Sequence, residues 1–201
     1  MTPELLLLCL LAALLELDTT YAFQLTFSRG IIAGPMLALF TGDWMAGIQA
    51  GVFTELLFSD LNPLGTILPP SAVVCCAVSV ALSAMGIPLC YGFIWGVLSA
   101  LLFISAEQAM RKYRIQLLGS WEQHLQRHPA WINHLIFREL IIGFIINFIF
   151  IFLLVWLGGV LLGWLQPLLG PRTLVACQFA FMAVPWIGLA SLIPEFRLKK
   201  R

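Results

Sequence analysis

Two long stretches of this chain contain no charged residue: residues 61–106, which number 46, and residues 140–171, which number 32. A helix needs about 20 apolar residues to cross the hydrocarbon layer of a bilayer. The whole chain is 61% hydrophobic and 10% charged, whereas soluble domains carry about 25% charged residues. The apolar runs are continuous, unlike the alternating pattern of a transmembrane β-barrel. The sequence therefore predicts an all-α integral membrane protein with five to seven membrane segments.

The charged residues are distributed unevenly between the two halves. Residues 1–106 carry six acids and a single base, Arg29, whereas residues 107–201 carry four acids and ten bases. The bases cluster at residues 111–114 and 197–201, and lysine and arginine in short loops mark the cytoplasmic side of a membrane protein. We therefore expect both clusters to be cytoplasmic. So few bases, all close to the membrane, do not favour a nucleic-acid partner.

Proline and glycine divide the apolar stretches into predicted helices, because proline cannot continue a helix and glycine favours turns. The expected helices cover residues 4–16, about 71–85, about 88–112, about 137–163 and 173–194. The stretch 107–130 is polar and basic; it predicts a cytoplasmic helical linker, although a docking surface for a cytoplasmic partner is an alternative. We expect one membrane domain over residues 1–201, with a motif-bearing half (1–112), a linker (113–132) and a second half (133–201).

The region 24–71 departs from this simple pattern. Two apolar pieces, residues 31–40 and 44–53, are joined by Thr41-Gly42-Asp43, and each has about half the length of a membrane span. Broken apolar helices with polar residues at membrane depth are typical of transport pathways. We therefore expect a re-entrant or broken-helix hairpin near residues 27–58. The surrounding polar residues are Gln24, Ser28, Arg29, Asp43, Thr54, Glu55, Asp60 and Asn62.

Glu55 ends a stripe of residues spaced four apart, Asp43, Gly47, Gly51 and Glu55. Residues with this spacing share one face of a helix, and small residues on that face allow close approach of a second helix. In this interpretation Glu55 faces protein or water. The alternative is a carboxylate in the headgroup region, since Asp60 follows closely.

The cysteines and histidines do not form a recognisable metal or redox motif. All five cysteines lie inside apolar segments without a Cys-x-x-Cys pair, and His124, His128 and His134 lie in one polar stretch without a carboxylate or cysteine to complete a site. We expect no metal site and no cofactor. Since no nucleophile–base pair or phosphate-binding loop is recognisable either, we expect no catalytic residue in this chain.

An ordered set of residues between positions 18 and 70 carries a family resemblance. It comprises Asp18, Gln24, Ser28-Arg29-Gly30, Ala33-Gly34-Pro35, Gly42-Asp43, Gly47, Gly51, Thr54-Glu55-Leu56, Leu64-Gly65 and Leu68-Pro69-Pro70. In order and spacing this set resembles the membrane subunit IIC of the mannose/fructose/sorbose family of the bacterial sugar phosphotransferase system.

The resemblance implies sugar transport coupled to phosphorylation. Such IIC subunits hold and translocate a sugar, here of hexose type, and work beside a second membrane subunit, IID. Cytoplasmic IIA and IIB subunits carry the phosphoryl group. The implied location is the bacterial cytoplasmic (inner) membrane, among membrane lipid, and a homo-oligomer is compatible with the sequence.

The resemblance also suggests which polar residues contact the sugar. Carboxylates, amides and hydroxyls can pair with sugar hydroxyl groups, so the predicted substrate-binding residues are Asp18, Gln24, Glu55, Asn62 and Ser71. Ser28, Arg29 and Asp43 are predicted to be structural, pairing or capping the half-length helices.

The chain also departs from the family pattern. Gly30 replaces the proline of Ser-Arg-Pro, and Ser71 replaces the acid of Pro-Pro-Asp. Family members usually continue beyond the position of Arg201, so we expect a divergent, C-terminally short member. These departures motivate an alternative, a non-transporting membrane scaffold or sensor derived from such a permease. A third hypothesis, the substrate-binding membrane subunit of an ATP-driven vitamin importer, is based only on similar size and hydropathy.

Overall fold

The computed structural model describes residues 2–20, 25–59, 68–127 and 131–198, and within these ranges it contains helices and no strand. The helices are α1 Pro3–Thr20, α2 Gly30–Thr41, α3 Trp44–Phe58, α4 Ala72–Ala84, α5 Leu89–Arg127, α6 Trp131–Leu165 and α7 Pro171–Leu198. The prediction of an all-α membrane protein is confirmed.

Three of the helices contain segments long and apolar enough to cross a membrane. These segments are Leu89–Leu117, Trp131–Leu165 and Pro171–Ser191. Helices α2, α3 and α4 are apolar but shorter. Helix α5 continues through the basic cluster to Arg127, and α6 begins at Trp131, six residues before the predicted start. The division into two halves around a cytoplasmic linker stays a prediction.

Helices α2 and α3 form the expected broken hairpin. Gly42 turns the chain with a positive φ of 73°, a conformation that glycine adopts without strain. Asp43 then caps α3, because its carboxylate accepts a hydrogen bond from the backbone N–H of Ala46 at 3.0 Å. The carboxylate also accepts a hydrogen bond from Ser83 at 3.4 Å, which links the turn to the end of α4.

Glycines bring the two arms of the hairpin into backbone contact. A Cβ atom added to Gly51 would lie 2.5 Å from the carbonyl oxygen of Gly30, and one added to Gly47 would lie 2.6 Å from that of Gly34. The close approach expected at Gly47 and Gly51 is therefore confirmed, and its partner is α2. This contact fixes the face of α3 that carries Glu55.

Helix α4 is the centre of the core. Its residues 73–82 are all buried, surrounded by side chains of α1, α2, α3, α5 and α6. Helix α7 is peripheral and packs on α3, where Gly188 lies against the backbone of Leu56. Phe53, Phe93 and Phe181 join α3, α5 and α7 in one aromatic cluster.

Candidate functional site

Four helix ends meet at one end of the molecule. The end of α1 contacts the start of α4 through Glu16 and Ser71, and the end of α3 contacts the start of α2 through Glu55 and Gly30. The two pairs are connected, since α4 packs against both α2 and α1. We call this region the polar end, defined by Glu16, Asp18, Arg29, Glu55 and Ser71.

Glu55 uses both carboxylate oxygens at the polar end. Oε2 accepts a hydrogen bond from the backbone N–H of Gly30, and Oε1 accepts one from the guanidinium of Arg29, each at 2.9 Å. Arg29 occupies the N-cap position of α2 without capping it by its side chain. A negative charge at the start of a helix is favourable, so Glu55 supplies from α3 the cap that α2 lacks.

Ser71 joins α4 to a carboxylate of α1. Its hydroxyl accepts a hydrogen bond from the backbone N–H of Val74 at 3.2 Å and donates one to Oε2 of Glu16 at 2.6 Å. Glu16 is only 4% exposed. Its other oxygen lies 3.3 Å from the hydroxyl of Thr19, whose single proton is shared with the closer backbone carbonyl of Glu16 at 2.5 Å. The Ser71 hydroxyl is thus the main donor to the buried Glu16 carboxylate, and a hydroxyl is the donor that a sugar offers.

Asp18 has a carboxylate oxygen without a partner among the described residues. Oδ1 accepts a hydrogen bond from the backbone N–H of Leu25 at 2.8 Å, whereas Oδ2 is buried and makes no hydrogen bond there. Buried acceptors are costly when unpaired. An oxygen of this kind can accept a hydrogen bond from a ligand hydroxyl at low cost.

The remaining predicted residues are Asp43, Ser28, Gln24 and Asn62. Asp43 lies at the other end of the hairpin from Glu55, where it caps α3. Ser28 is half-buried in the turn before α2. Gln24 and Asn62 lie outside the described residues. The described part of the structure thus brings Asp18, Glu55 and Ser71 to one end, together with Arg29.

Two buried polar residues were missed as site candidates by sequence reasoning. Glu16 is the last residue of the predicted helix 4–16 and was not among the predicted site residues. Glu107 is 7% exposed on α5, pairs with Arg111 and Arg114 at 3.0 and 3.4 Å, and lies close enough for its charge to act on Glu16. An acid directly after a leucine-rich run was the available signal for Glu16.

A third missed residue lies apart from this cluster. Asn147 on α6 is 1% exposed, and its side-chain oxygen has no hydrogen-bond partner among the described residues. Its signal was an amide in the middle of the uncharged stretch 140–171, whose other amide, Gln166, lies near the end.

The polar end provides hydrogen-bond acceptors rather than reactive groups. Its carboxylates contact hydroxyl, guanidinium or backbone N–H donors. Within the described ranges no three His, Cys, Asp or Glu residues come together in a group that could hold a metal ion. Such an arrangement suits the binding of a polyhydroxy ligand.

Comparison with known protein families identifies the family of this chain. The family model described as the sorbose-specific IIC component of the phosphotransferase system matches residues 3–199. The chain belongs to this family. It is therefore a sugar-specific IIC component of a phosphotransferase system, and a multi-pass membrane protein.

A solved structure supports the fold of this IIC component. The structure, described as "Structure of membrane protein", superposes with a TM-score of 0.79 over 98% of this chain and 85% of the other, at 17% sequence identity. At this identity the likeness shows the fold alone. No curated protein sequence matches the chain significantly.

The Glu16–Ser71 contact bears on one departure of this IIC component from the family pattern. Ser71 stands where the pattern has an acid, and the structure places the Glu16 carboxylate at hydrogen-bonding distance from its hydroxyl. A carboxylate is therefore present beside position 71, although it comes from α1.

Proposed function

We propose that this IIC component binds a hexose-type sugar at the polar end and translocates it while partner subunits phosphorylate it. The observation that carries the proposal is the convergence of Asp18, Glu55 and Ser71 at the open end of a broken-helix hairpin. Family membership supplies the class of substrate. Gln24 and Asn62, which follow α1 and α3 in the chain, are proposed to complete the set of sugar contacts.

The acceptor chemistry supports sugar binding rather than ion binding. A sugar hydroxyl can replace the Ser71 hydroxyl that now donates to Glu16, and a sugar hydroxyl can also pair with the free oxygen of Asp18. Arg29 is held beside Glu55 and can donate to a sugar oxygen through its remaining N–H groups. These exchanges replace one hydrogen bond by another, which permits binding and release.

The partner subunits follow from family membership and are part of the proposal. This chain offers no phosphoryl-accepting site among the groups described above, so IIA and IIB subunits are proposed to carry the phosphoryl group and IID to pair with this chain in the membrane. The basic clusters near residues 111–114 and 197–201 are proposed to lie on the cytoplasmic side, in the bacterial inner membrane.

Asp18→Asn and Asp43→Asn make a matched pair of test variants. Each asparagine keeps a side-chain oxygen that can accept the hydrogen bond now made by the aspartate, from the backbone N–H of Leu25 at Asp18 and of Ala46 at Asp43. Only Asp18 lies at the polar end. The measurement is phosphoenolpyruvate-dependent uptake of labelled mannose, fructose and sorbose in a strain that supplies the partner subunits. We expect Asp18→Asn to lower uptake at least about tenfold, equivalent to about 1.4 kcal/mol, and Asp43→Asn to retain it.

The outcome also separates transport from the alternative function. If the wild-type chain associates with IID but neither binds nor transports any of the three sugars, the scaffold or sensor hypothesis replaces transport. If the wild-type chain transports sugar and Asp18→Asn does so equally well, the sugar site lies elsewhere.

A further inference from the structure

A groove with two adjoining parts runs between α5 and α7 beside α3. The wider part has a volume of about 610 Å³ and the narrower part about 240 Å³. Cys90 and Phe181 line both parts, so the parts adjoin each other at these two residues. The groove is separate from the polar end.

The groove has a defined direction relative to the membrane. Tyr91 and Thr173, near the starts of α5 and α7, are in hydrogen-bond contact at 3.4 Å, and Phe93 and Phe181 pack further along with ring centroids 5.2 Å apart. The two helices therefore run in the same direction. The wider part lies at their starts, whereas the narrower part follows α5 to Leu98.

The length of α5 places the two parts at different depths. Arg111, in the basic cluster, follows Leu89 by a helical distance of about 33 Å, close to the thickness of the hydrocarbon layer, about 30 Å. The start of α5 thus lies near one membrane surface when the basic cluster lies near the other. The wider part then lies at the membrane–water interface, and the narrower part lies within the hydrocarbon layer.

The chemistry of the lining changes along the same direction. Gln49 and Gln178 flank the wider part, and neither side chain is hydrogen-bonded to another described residue. The narrower part is lined by apolar side chains and two cysteines, including Val97, Leu98, Cys177 and Val184. An amide in an apolar setting gains from a hydrogen-bonding partner, so the groove suits a molecule with a polar end and an apolar tail.

The narrower part is too slender for a helix. It follows α5 from Cys90 to Leu98, about 12 Å at the helical rise of 1.5 Å per residue, so its volume of about 240 Å³ corresponds to a mean cross-section of roughly 20 Å². A helix with a diameter of about 10 Å has a cross-section of roughly 80 Å². A single extended hydrocarbon chain fits where a helix of a partner subunit does not.

We propose that the groove binds one glycerophospholipid of the surrounding bilayer. The ester and headgroup oxygens accept hydrogen bonds from the amides of Gln49 and Gln178, and one acyl chain lies between α5 and α7 along Val97 and Val184. The lipid fills the space beside α7, whose contact with the rest of the chain is mainly through α3.

The test measures lipid retention by the purified full-length chain. The chain is delipidated in detergent and titrated with dioleoyl phosphatidylglycerol, and native mass spectrometry counts the bound lipids. Ala180→Phe fills the narrower part, since Ala180 lines it. Ala190→Phe introduces the same side chain at another exposed position of α7 that lines neither part and serves as the control.

We expect wild type and Ala190→Phe to retain one tightly bound lipid and Ala180→Phe to bind it at least tenfold more weakly. Gln49→Leu and Gln178→Leu should each weaken binding about fivefold, the factor for a hydrogen bond of about 1 kcal/mol. These two variants keep the test decisive if Ala180→Phe does not fold.

Two results overturn the proposal. One is equal lipid binding by wild type, Ala180→Phe and both glutamine variants. The other is a lipid-free wild-type dimer that Ala180→Phe dissociates, which makes the groove a contact between two copies of the chain.

Discussion

The carboxylate of Glu55, near the end of α3, accepts a hydrogen bond at 2.9 Å from the backbone N–H of Gly30, the first residue of α2. One side chain therefore closes the open end of the hairpin and caps a helix that has no side-chain cap of its own. Because the same carboxylate is a predicted sugar contact, its structural and binding roles must be separated by experiment.

Substitutions of Glu55 separate these roles. Glu55→Gln keeps an oxygen for Gly30 and loses the ion pair to Arg29, whose side chain is 64% exposed; an exposed pair contributes at most about 1 kcal/mol. Glu55→Ala also loses the cap, typically about 1 kcal/mol more. We expect the thermal unfolding temperature in detergent to fall slightly for Glu55→Gln and further for Glu55→Ala.

Sugar uptake by the Glu55 variants should not follow their thermal stability. If Glu55 contacts the sugar, Glu55→Gln lowers uptake at least about tenfold, or about 1.4 kcal/mol, despite its near-normal stability. Uptake that falls only in proportion to the loss of folded protein would assign Glu55 a purely structural role.

The glycine contact in the hairpin predicts a strong difference between two alanine substitutions. Gly51→Ala places a Cβ 2.5 Å from the carbonyl oxygen of Gly30, so the arms must separate, and overpacking of this kind costs about 1–3 kcal/mol. Gly163 on α6 has no atom within 4 Å of an added Cβ. Gly163→Ala should therefore stabilise the chain by up to about 1 kcal/mol through helix propensity.

Unfolding temperature and yield in detergent measure both variants. A Gly51→Ala protein as stable as wild type would contradict a close backbone contact between Gly51 and Gly30.

The Ser71–Glu16 contact predicts energetic coupling between α4 and α1. Ser71→Ala removes the cap of α4, about 1 kcal/mol, and leaves the buried Glu16 carboxylate without its main donor, about 1–3 kcal/mol. A double-mutant cycle with Glu16→Gln should give a coupling energy above about 1 kcal/mol. Ser83→Ala at the other end of α4, where the hydroxyl makes a long 3.4 Å contact, is the control and should change stability by less than about 0.5 kcal/mol.

A reciprocal exchange tests whether Glu16 serves the sugar site. Ser71→Asp alone places two carboxylates within hydrogen-bonding distance, which is unfavourable when both are charged, and uptake should fall. Adding Glu16→Ser restores one carboxylate and one hydroxyl at the same contact, with aspartate still able to cap α4. We expect the double variant to recover much of the uptake; failure to recover, in a folded protein, would show that the carboxylate must come from α1.

Local features of the sequence predicted most of the helices. The turn Thr41-Gly42-Asp43 and the glycine spacing on α3 were sufficient for the hairpin, and the proline boundaries placed α4 within one residue of its observed limits. The start of α6 was predicted six residues late, because its first turns mix polar and apolar residues and the hydropathy rises only after Arg138. Helix α5 continues from the predicted membrane helix, about 88–112, into the stretch that was predicted to be a helical linker.

The candidate site was harder to predict because its contacts join distant residues. Asp18, Glu55 and Ser71 were selected by their residue types and by family resemblance, and the structure brings them to one end. The partner of Ser71 is 55 residues earlier in the chain, and no local pattern relates the two. Glu16 therefore entered the site only when α1 was placed against α4.

The sequence by itself determined that this chain is a membrane protein of apolar helices with a broken hairpin, because hydropathy, proline and glycine act through local chemistry. Only the tertiary structure decided which carboxylate caps α2, which one contacts Ser71, and where α5 and α7 leave a groove. These features depend on the relative positions of helices, which are set by packing between residues far apart in the chain.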